Sequence, residues 1–131
     1  MSGLETLLRH AAELSEVTGL QTEVHQDGNR LFVGIHEYVM PEGTSKVART
    51  EILFIGDTQY PISAMDMFWT DLDVVRTDGT PYENSDSIEE YLGRKWRRFS
   101  YHRNGIWNHA GNPLMDHYAF MESRWTGKAK K

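Results

Sequence analysis

A strand-like run at residues 47–55 leads into a tyrosine-proline step, and the stretch YPISAMDMFW at 60–69 constrains this chain more than any other. Proline fixes φ and has no N–H to give to a ladder, so the step ends a strand and sends the backbone across the face of a sheet. Met65, Met67, Phe68 and Trp69 follow it, large and apolar, suited to closing over a core. A sheet is therefore expected before this stretch and a change of pattern after it.

The residues ahead of it fit. Ser2 and Glu5 have capping-box spacing, Leu4, Leu7, Leu8, Ala11, Leu14 and Val17 recur on one helical face, and Gly19 supplies a stop, which predicts a helix over 3–18. A short strand over 20–26 meets the hairpin signal Asp27-Gly28, and Leu31, Val33, Ile35 and Val39 alternate with more polar neighbours. After a polar turn at 41–45, Leu53 and Ile55 point to one face and Ile52 and Phe54 to the other. Residues 65–69 make a fourth strand of this meander.

Beyond it the strand pattern fails. Asp71, Asp73, Asp78, Gly79, Pro81 and Asn84 mark a long loop over 70–84, a length usually reserved for function or motion. Ser87 and Glu90 repeat the capping spacing, and Ile88, Tyr91, Leu92, Trp96 and Phe99 predict a second helix over 88–98 despite Gly93. Residues 100–111 read as an ordered loop carrying Tyr101, His102, Trp107 and His109. Asn112 as N-cap and Pro113 at the first position open a last helix that should end near Gly127, followed by a disordered tail over 128–131. The fold class is α+β, in one domain over 1–131.

At 131 residues such a domain buries roughly two-thirds of the surface its unfolded chain exposes, enough to stand without staples. The chain has no cysteine, which excludes disulfides, thiolate metal sites and thiol nucleophiles. A formal charge of −5 argues against nucleic-acid binding, which depends on clustered Lys and Arg. Neither a leader nor an apolar membrane span is visible, so a cytoplasmic protein without membrane partners is expected.

Helix, four-stranded antiparallel meander, Tyr-Pro crossing, irregular segment, tryptophan loop and C-terminal helix, in this order, resemble the ubiquitin-conjugating enzyme (UBC-like) superfamily. The resemblance is carried by GIHEYVMPEGT, by TEILFIGDTQYPISAMDMFW, and by Trp107 leading into PLMDHYAFMESRW, and it spans residues 4–125. The chain is most similar to the divergent bacterial members of ubiquitin-like modification operons. The resemblance implies a transferase-like role with a ubiquitin-like modifier and an activating enzyme as partners, and no cofactor.

The departures concern the chemistry. Members of the family follow the flap with a His-Pro-Asn step, whose asparagine stabilises the developing oxyanion, and then present the cysteine that holds the modifier as a thioester. Here the corresponding run is TDLDVV and the cysteine is absent. Counting from Gly79 places the missing position near Tyr82, and counting back from Trp107 places it at Phe99 or Ser100. Ser100 is preferred, because the insertion from Ile88 disturbs the first count. A serine there can carry an acyl group only as an oxyester and needs an adjacent base to act. A non-catalytic conjugating-enzyme variant or an RWD-like protein-binding module is the alternative, although the second proline of RWD domains is replaced here by Ala64 or Met65.

His102, two residues on, is the candidate base. Asp73, Asp78 and Asp86 are its candidate orienting carboxylates in a hydrolase-like triad. His102, His109 and His117 match no zinc spacing, with His117 expected on the exposed side of the last helix and His25 and His36 on strand faces. Asp71, Asp73 and Asp78 do not reproduce a calcium loop and read as solvated. Arg94, Lys95, Arg97 and Arg98 around Trp96 are either a solvated helix face with Trp96 turned inward or a docking strip for an acidic partner or a protein C-terminus. Trp107, expected to pack in the core with Tyr60, Phe68 and Trp69, is grouped with these arginines as a partner-binding candidate.

Overall fold

Ser2 starts the first helix as its spacing to Glu5 predicts, in a computed structural model that describes residues 2–102 and 107–125. Ser2 Oγ accepts from Glu5 N–H and Glu5 Oε1 from Ser2 N–H, both at 3.0 Å. Helix α1, Gly3–Thr18, ends at Gly19, whose φ of 77° lets its N–H return to Ser15 O. The helix turns Leu7, Ala11 and Leu14 into the core. A Cβ on Gly3 would stand 2.5 Å from Thr58 O and 2.8 Å from Tyr60 O, so the start of α1 lies directly against the Tyr-Pro corner. That corner contains a cis Tyr60-Pro61 peptide, and buried Tyr60 Oη lies 2.7 Å from His10 Nδ1.

The meander follows as β1 (Thr22–Asp27), β2 (Arg30–Val39), β3 (Arg49–Asp57) and β4 (Phe68–Thr70), each antiparallel to the next. Between Ile35 and Tyr38 the β2–β3 register shifts, with Glu37 at φ 57°. This bulge re-aims His36, which then bonds both Glu51 and Glu23.

The predicted helix over 88–98 is instead a hairpin, β5 (Ser87–Tyr91) and β6 (Arg94–Phe99), joined by Leu92 and Gly93 at φ 54° and 76°. Two residues with positive φ make the tight turn whose twist matches paired strands. The helical spacing misled because Trp96 and Phe99 are both buried but on opposite sheet faces. β6 pairs with β4 through Phe68↔Phe99, giving six strands rather than four in the order β1-β2-β3-β4-β6-β5.

Helix α2, Pro113–Ser123, opens with Asn112 Oδ1 accepting from Met115 N–H at 3.2 Å and closes at Arg124, short of the expected end; residues 126–131, with the predicted tail, lie outside the described residues. His117 corrects an expectation. It is fully buried, donates from Nε2 to Met67 O at 2.8 Å and packs 4.7 Å from the Phe54 ring, because it shares the face of Leu114 and Met121.

Both helices pack on one face of the sheet, over Val33, Ile35, Ile52, Phe54, Phe68 and Phe99. The other face carries a smaller cluster, Phe32, Leu53, Trp69 and Trp96. Among the described residues no helix is long and apolar enough to cross a membrane.

Candidate functional site

Ser100 leaves the end of β6, so the β4–β6 pairing fixes where it stands. Its N–H donates to Asn84 O at 2.9 Å, and Asn84 itself is held at φ 59°. Its Oγ accepts from Arg98 Nε at 2.8 Å. The next carbonyl, Tyr101 O, accepts from Met67 N–H at 3.2 Å. Residues 99–101 are thus threaded between the lead-in to β4 and the turn at 82–85. Beneath them Phe68 and Phe99 stack at 5.1 Å, with Trp125 edge-on to both at 5.6 and 5.2 Å.

His102 is exposed, and its Nδ1 lies 2.5 Å from Asp66 Oδ2. The carboxylate that orients it is therefore Asp66, from the stretch before β4, and not Asp73, Asp78 or Asp86. Among the described residues no hydrogen bond joins His102 to Ser100. Residues 103–106 lie outside the described part of this loop. Trp107, half-buried, donates from Nε1 to Pro61 O at 2.6 Å, tying the loop to the Tyr-Pro corner. Tyr82 is buried: its hydroxyl donates to Thr44 O, its ring lies 5.7 Å from Phe99 and 5.4 Å from Trp125, and burial pushes its phenol above the ordinary value.

The arginines of β6 are bonded within the chain. Arg94 pairs with Asp71 at 2.7 Å and covers the Trp96 ring at 3.8 Å. Arg97 donates to Leu72 O at 2.9 Å and Ser85 O at 2.6 Å, clamping both ends of the segment between β4 and β5. Arg98 pairs with Glu89 at 2.6 Å. Burial raises the Glu89 pKa, but bonds from Trp69 Nε1 at 2.9 Å, from the Tyr91 hydroxyl at 3.0 Å and from Arg98 outweigh it, and the carboxyl sits below its usual range.

Beside Ser100, a cavity of about 420 Å³ opens between the turn at 76–80, the turn at 82–85, Tyr101 and the end of α2. Two more arginines line it. The Arg76 guanidinium lies 5.0 Å from the Tyr82 ring centre, and that of Arg124 lies 4.0 Å from the Tyr101 ring centre. Neither forms an ion pair among the described residues, and Arg124 Nε is buried with no hydrogen-bond partner among them. The Tyr101 hydroxyl donates to Glu83 O at 2.7 Å. Burial pushes its pKa up and the Glu83 charge adds to that, while the charges of Arg124 and Arg76 and a hydrogen bond from Arg124 pull it down, so both guanidinium groups act on one phenol. Asp78, also on the wall, accepts from Thr80 Oγ1 at 2.6 Å and Thr80 N–H at 3.0 Å, which holds its carboxyl low.

The sequence singles out Ser100, Tyr82 and His102 as candidates, and Asp66, Arg76 and Arg124 are neighbours that only the structure brings to this region. Nothing local marks these three, since each comes from a different segment and acquires its neighbours only through the fold. Among the described residues no group of three or more His, Asp or Glu is arranged to hold a metal ion.

A family model described as Prokaryotic E2 family E matches residues 7–126. Comparison with curated proteins gave no match, and comparison with solved structures gave none.

Proposed function

The chain belongs to prokaryotic E2 family E, and from that premise we propose that it has the ubiquitin-conjugating fold and serves a ubiquitin-like conjugation pathway by holding the modifier's C-terminal tail without forming a thioester. The observation that carries this reading is the absence of cysteine from the whole chain, although the family match spans 7–126. The helix, the meander in its sequential order, the Tyr-Pro corner and the final helix support the fold. The β5–β6 hairpin is the departure from it.

Ser100 is the position we assign to the absent nucleophile. Its Oγ accepts a bond from the Arg98 guanidinium, and among the described residues no base accepts its proton. That environment suits recognition better than acyl transfer, because a serine hydroxyl needs a base in reach to become a competent nucleophile.

The test is to mix the protein with a cognate activating enzyme, ATP and modifier. Intact mass should show no adduct, while the modifier titrates saturably onto the folded protein. A hydroxylamine-sensitive adduct on Ser100 would overturn the reading in favour of a second one, oxyester transfer. The single observation favouring that second reading is the His102–Asp66 pair, a carboxylate-oriented imidazole two residues from Ser100. A Ser100→Cys variant that gains a thioester with the modifier supports the placement, and one that stays unmodified counts against it.

A further inference from the structure

The geometry points to the Arg76–Arg124 cavity as a binding site for a free peptide C-terminus, its terminal carboxylate received by the two guanidinium groups. Four observations converge. The cavity, about 420 Å³, has room for a few residues of extended chain. Two permanently charged forks line it from elements distant in sequence, and neither is used in an ion pair among the described residues. One of them keeps a buried N–H with no acceptor among the described residues, an arrangement that native proteins seldom leave unanswered. Both are positioned by rings, Tyr82 under Arg76 and Tyr101 under Arg124, so little ordering is left for the moment of binding.

The remaining wall selects the kind of anion. Asp78 and Glu83 also line the cavity. Their charges oppose a phosphate dianion more strongly than a single carboxylate, and they are acceptors for the amide N–H groups that precede a chain terminus. A peptide end offers a singly charged anion with a row of amide N–H donors behind it, whereas inorganic phosphate brings more charge and only its own one or two O–H donors. Guanidinium forks also fit the planar carboxylate in bidentate fashion.

That the terminus belongs to the modifier rests on the function proposed above; that the cavity takes a peptide carboxylate does not. The experiment uses the full chain labelled with ¹⁵N and follows the arginine Nε–H resonances, with Arg76→Gln and Arg124→Lys supplying the assignments. The probes are N-acetyl-Ala-Ala-Gly with a free carboxylate, the same peptide as its C-terminal amide, and inorganic phosphate. The Arg124 resonance should move saturably with the free acid and stay still with the amide. Arg76→Gln should weaken the free acid by about ten- to a hundredfold, the range for losing one charge-assisted hydrogen bond. Arg124→Lys, which keeps the charge and removes the fork, should also weaken it. No saturable shift at millimolar peptide, an equal shift with the amide, or tighter binding of phosphate than of the acid each overturns the proposal. If the free acid binds but the modifier does not, the conjugation reading fails and the cavity assignment stands. If the modifier binds without moving the Arg124 resonance, the assignment fails and the reading stands.

Discussion

Arg98 on β6 gives its guanidinium to Glu89 and Ser100, whereas Arg124 at the end of α2 leaves a buried Nε with no acceptor among the described residues. Arg94 and Arg97 resemble Arg98 in being bonded within the chain, and Arg76 resembles Arg124 in having an aromatic ring beneath it but no ion pair among the described residues. In the sequence the β6 arginines stand out as a dense positive run and the other two do not. In the fold the relation reverses, because Asp71, Glu89 and two backbone carbonyls occupy the β6 arginines while the 76–80 turn and the helix end bring two cations to one cavity. Local charge density is thus a poor guide to available charge. What matters is which cations the fold has already answered.

The strongest way to break this contrast is to remove the carboxylate that answers Arg98. Glu89→Ala takes the acceptor from Trp69 Nε1, the Tyr91 hydroxyl and Arg98 together. Leaving a charge and two donors unmatched should cost about 2–3 kcal/mol, less than the roughly 3–5 kcal/mol of a broken fully buried pair because this one is partly open to solvent. The urea midpoint should fall with an unchanged slope. Adding Arg98→Met to Glu89→Ala should recover part of the loss, and a midpoint that does not move in the single variant would show the β6 arginines to be as idle as a solvated face.

The hairpin that carries those arginines allows a smaller test. Leu92 occupies a left-handed position in the turn at φ 54°, a conformation costly for leucine and natural for asparagine. Leu92→Asn should therefore raise stability by about 1 kcal/mol. A helix over 88–98 would respond in the opposite direction.

That turn also explains what could be read from the sequence and what could not. The first helix was legible because its signals are local: Ser2 and Glu5 cap each other and Gly19 stops it. The meander was legible because Asp27-Gly28 and the alternation of Ile52 to Ile55 are local too. The hairpin was not, since Trp96 faces the outer cluster and Phe99 the core beneath the helices, and two buried residues three apart imitate one helical face. The burial of His117 follows the helical spacing of Leu114 and Met121, but a polar ring reads as exposed until its partner, Met67 O, is known. At the candidate site, Ser100 could be proposed by counting from landmarks and His102 by its nearness to Ser100. Asp66, Arg76 and Arg124 could not, because their roles arise from contacts between segments.

Two histidines extend the comparison to answered and unanswered charge away from arginine. At His36 burial disfavours the cation, but bonds to Glu51 and Glu23 outweigh it and its pKa is raised. Its stabilisation is fully present below about pH 6.5, the unfolded value, and is lost as pH rises through the folded value. At His10 burial lowers the pKa, with Arg9 adding and Glu13 opposing, so its contribution is present above about pH 6.5 and is lost as pH falls through the folded value. His36→Gln should cost at most about 1 kcal/mol near pH 6, shrinking toward pH 9. Urea midpoints of both proteins across that range check the slope, and a cost that grows with pH would contradict the carboxylate cradle.

The smallest effect is the most discriminating. Arg124 contributes a ring contact with Tyr101 at 4.0 Å, and its buried Nε–H has lost water without gaining an acceptor in the described structure. A cation over an aromatic ring is worth from about 0.5–1 kcal/mol when exposed to about 2 kcal/mol when desolvated, and an unmatched buried donor costs about 1–3 kcal/mol, so the two largely offset. Arg124→Met keeps much of the apolar stem and removes both terms. Its urea midpoint should correspond to a change under about 0.5 kcal/mol, the range of a substitution that breaks nothing. Glu89→Ala and Arg124→Met, measured side by side, then separate a cation that the fold requires from one that it only positions. A loss above about 1 kcal/mol in Arg124→Met would make that arginine structural and remove the physical basis for assigning it to a ligand.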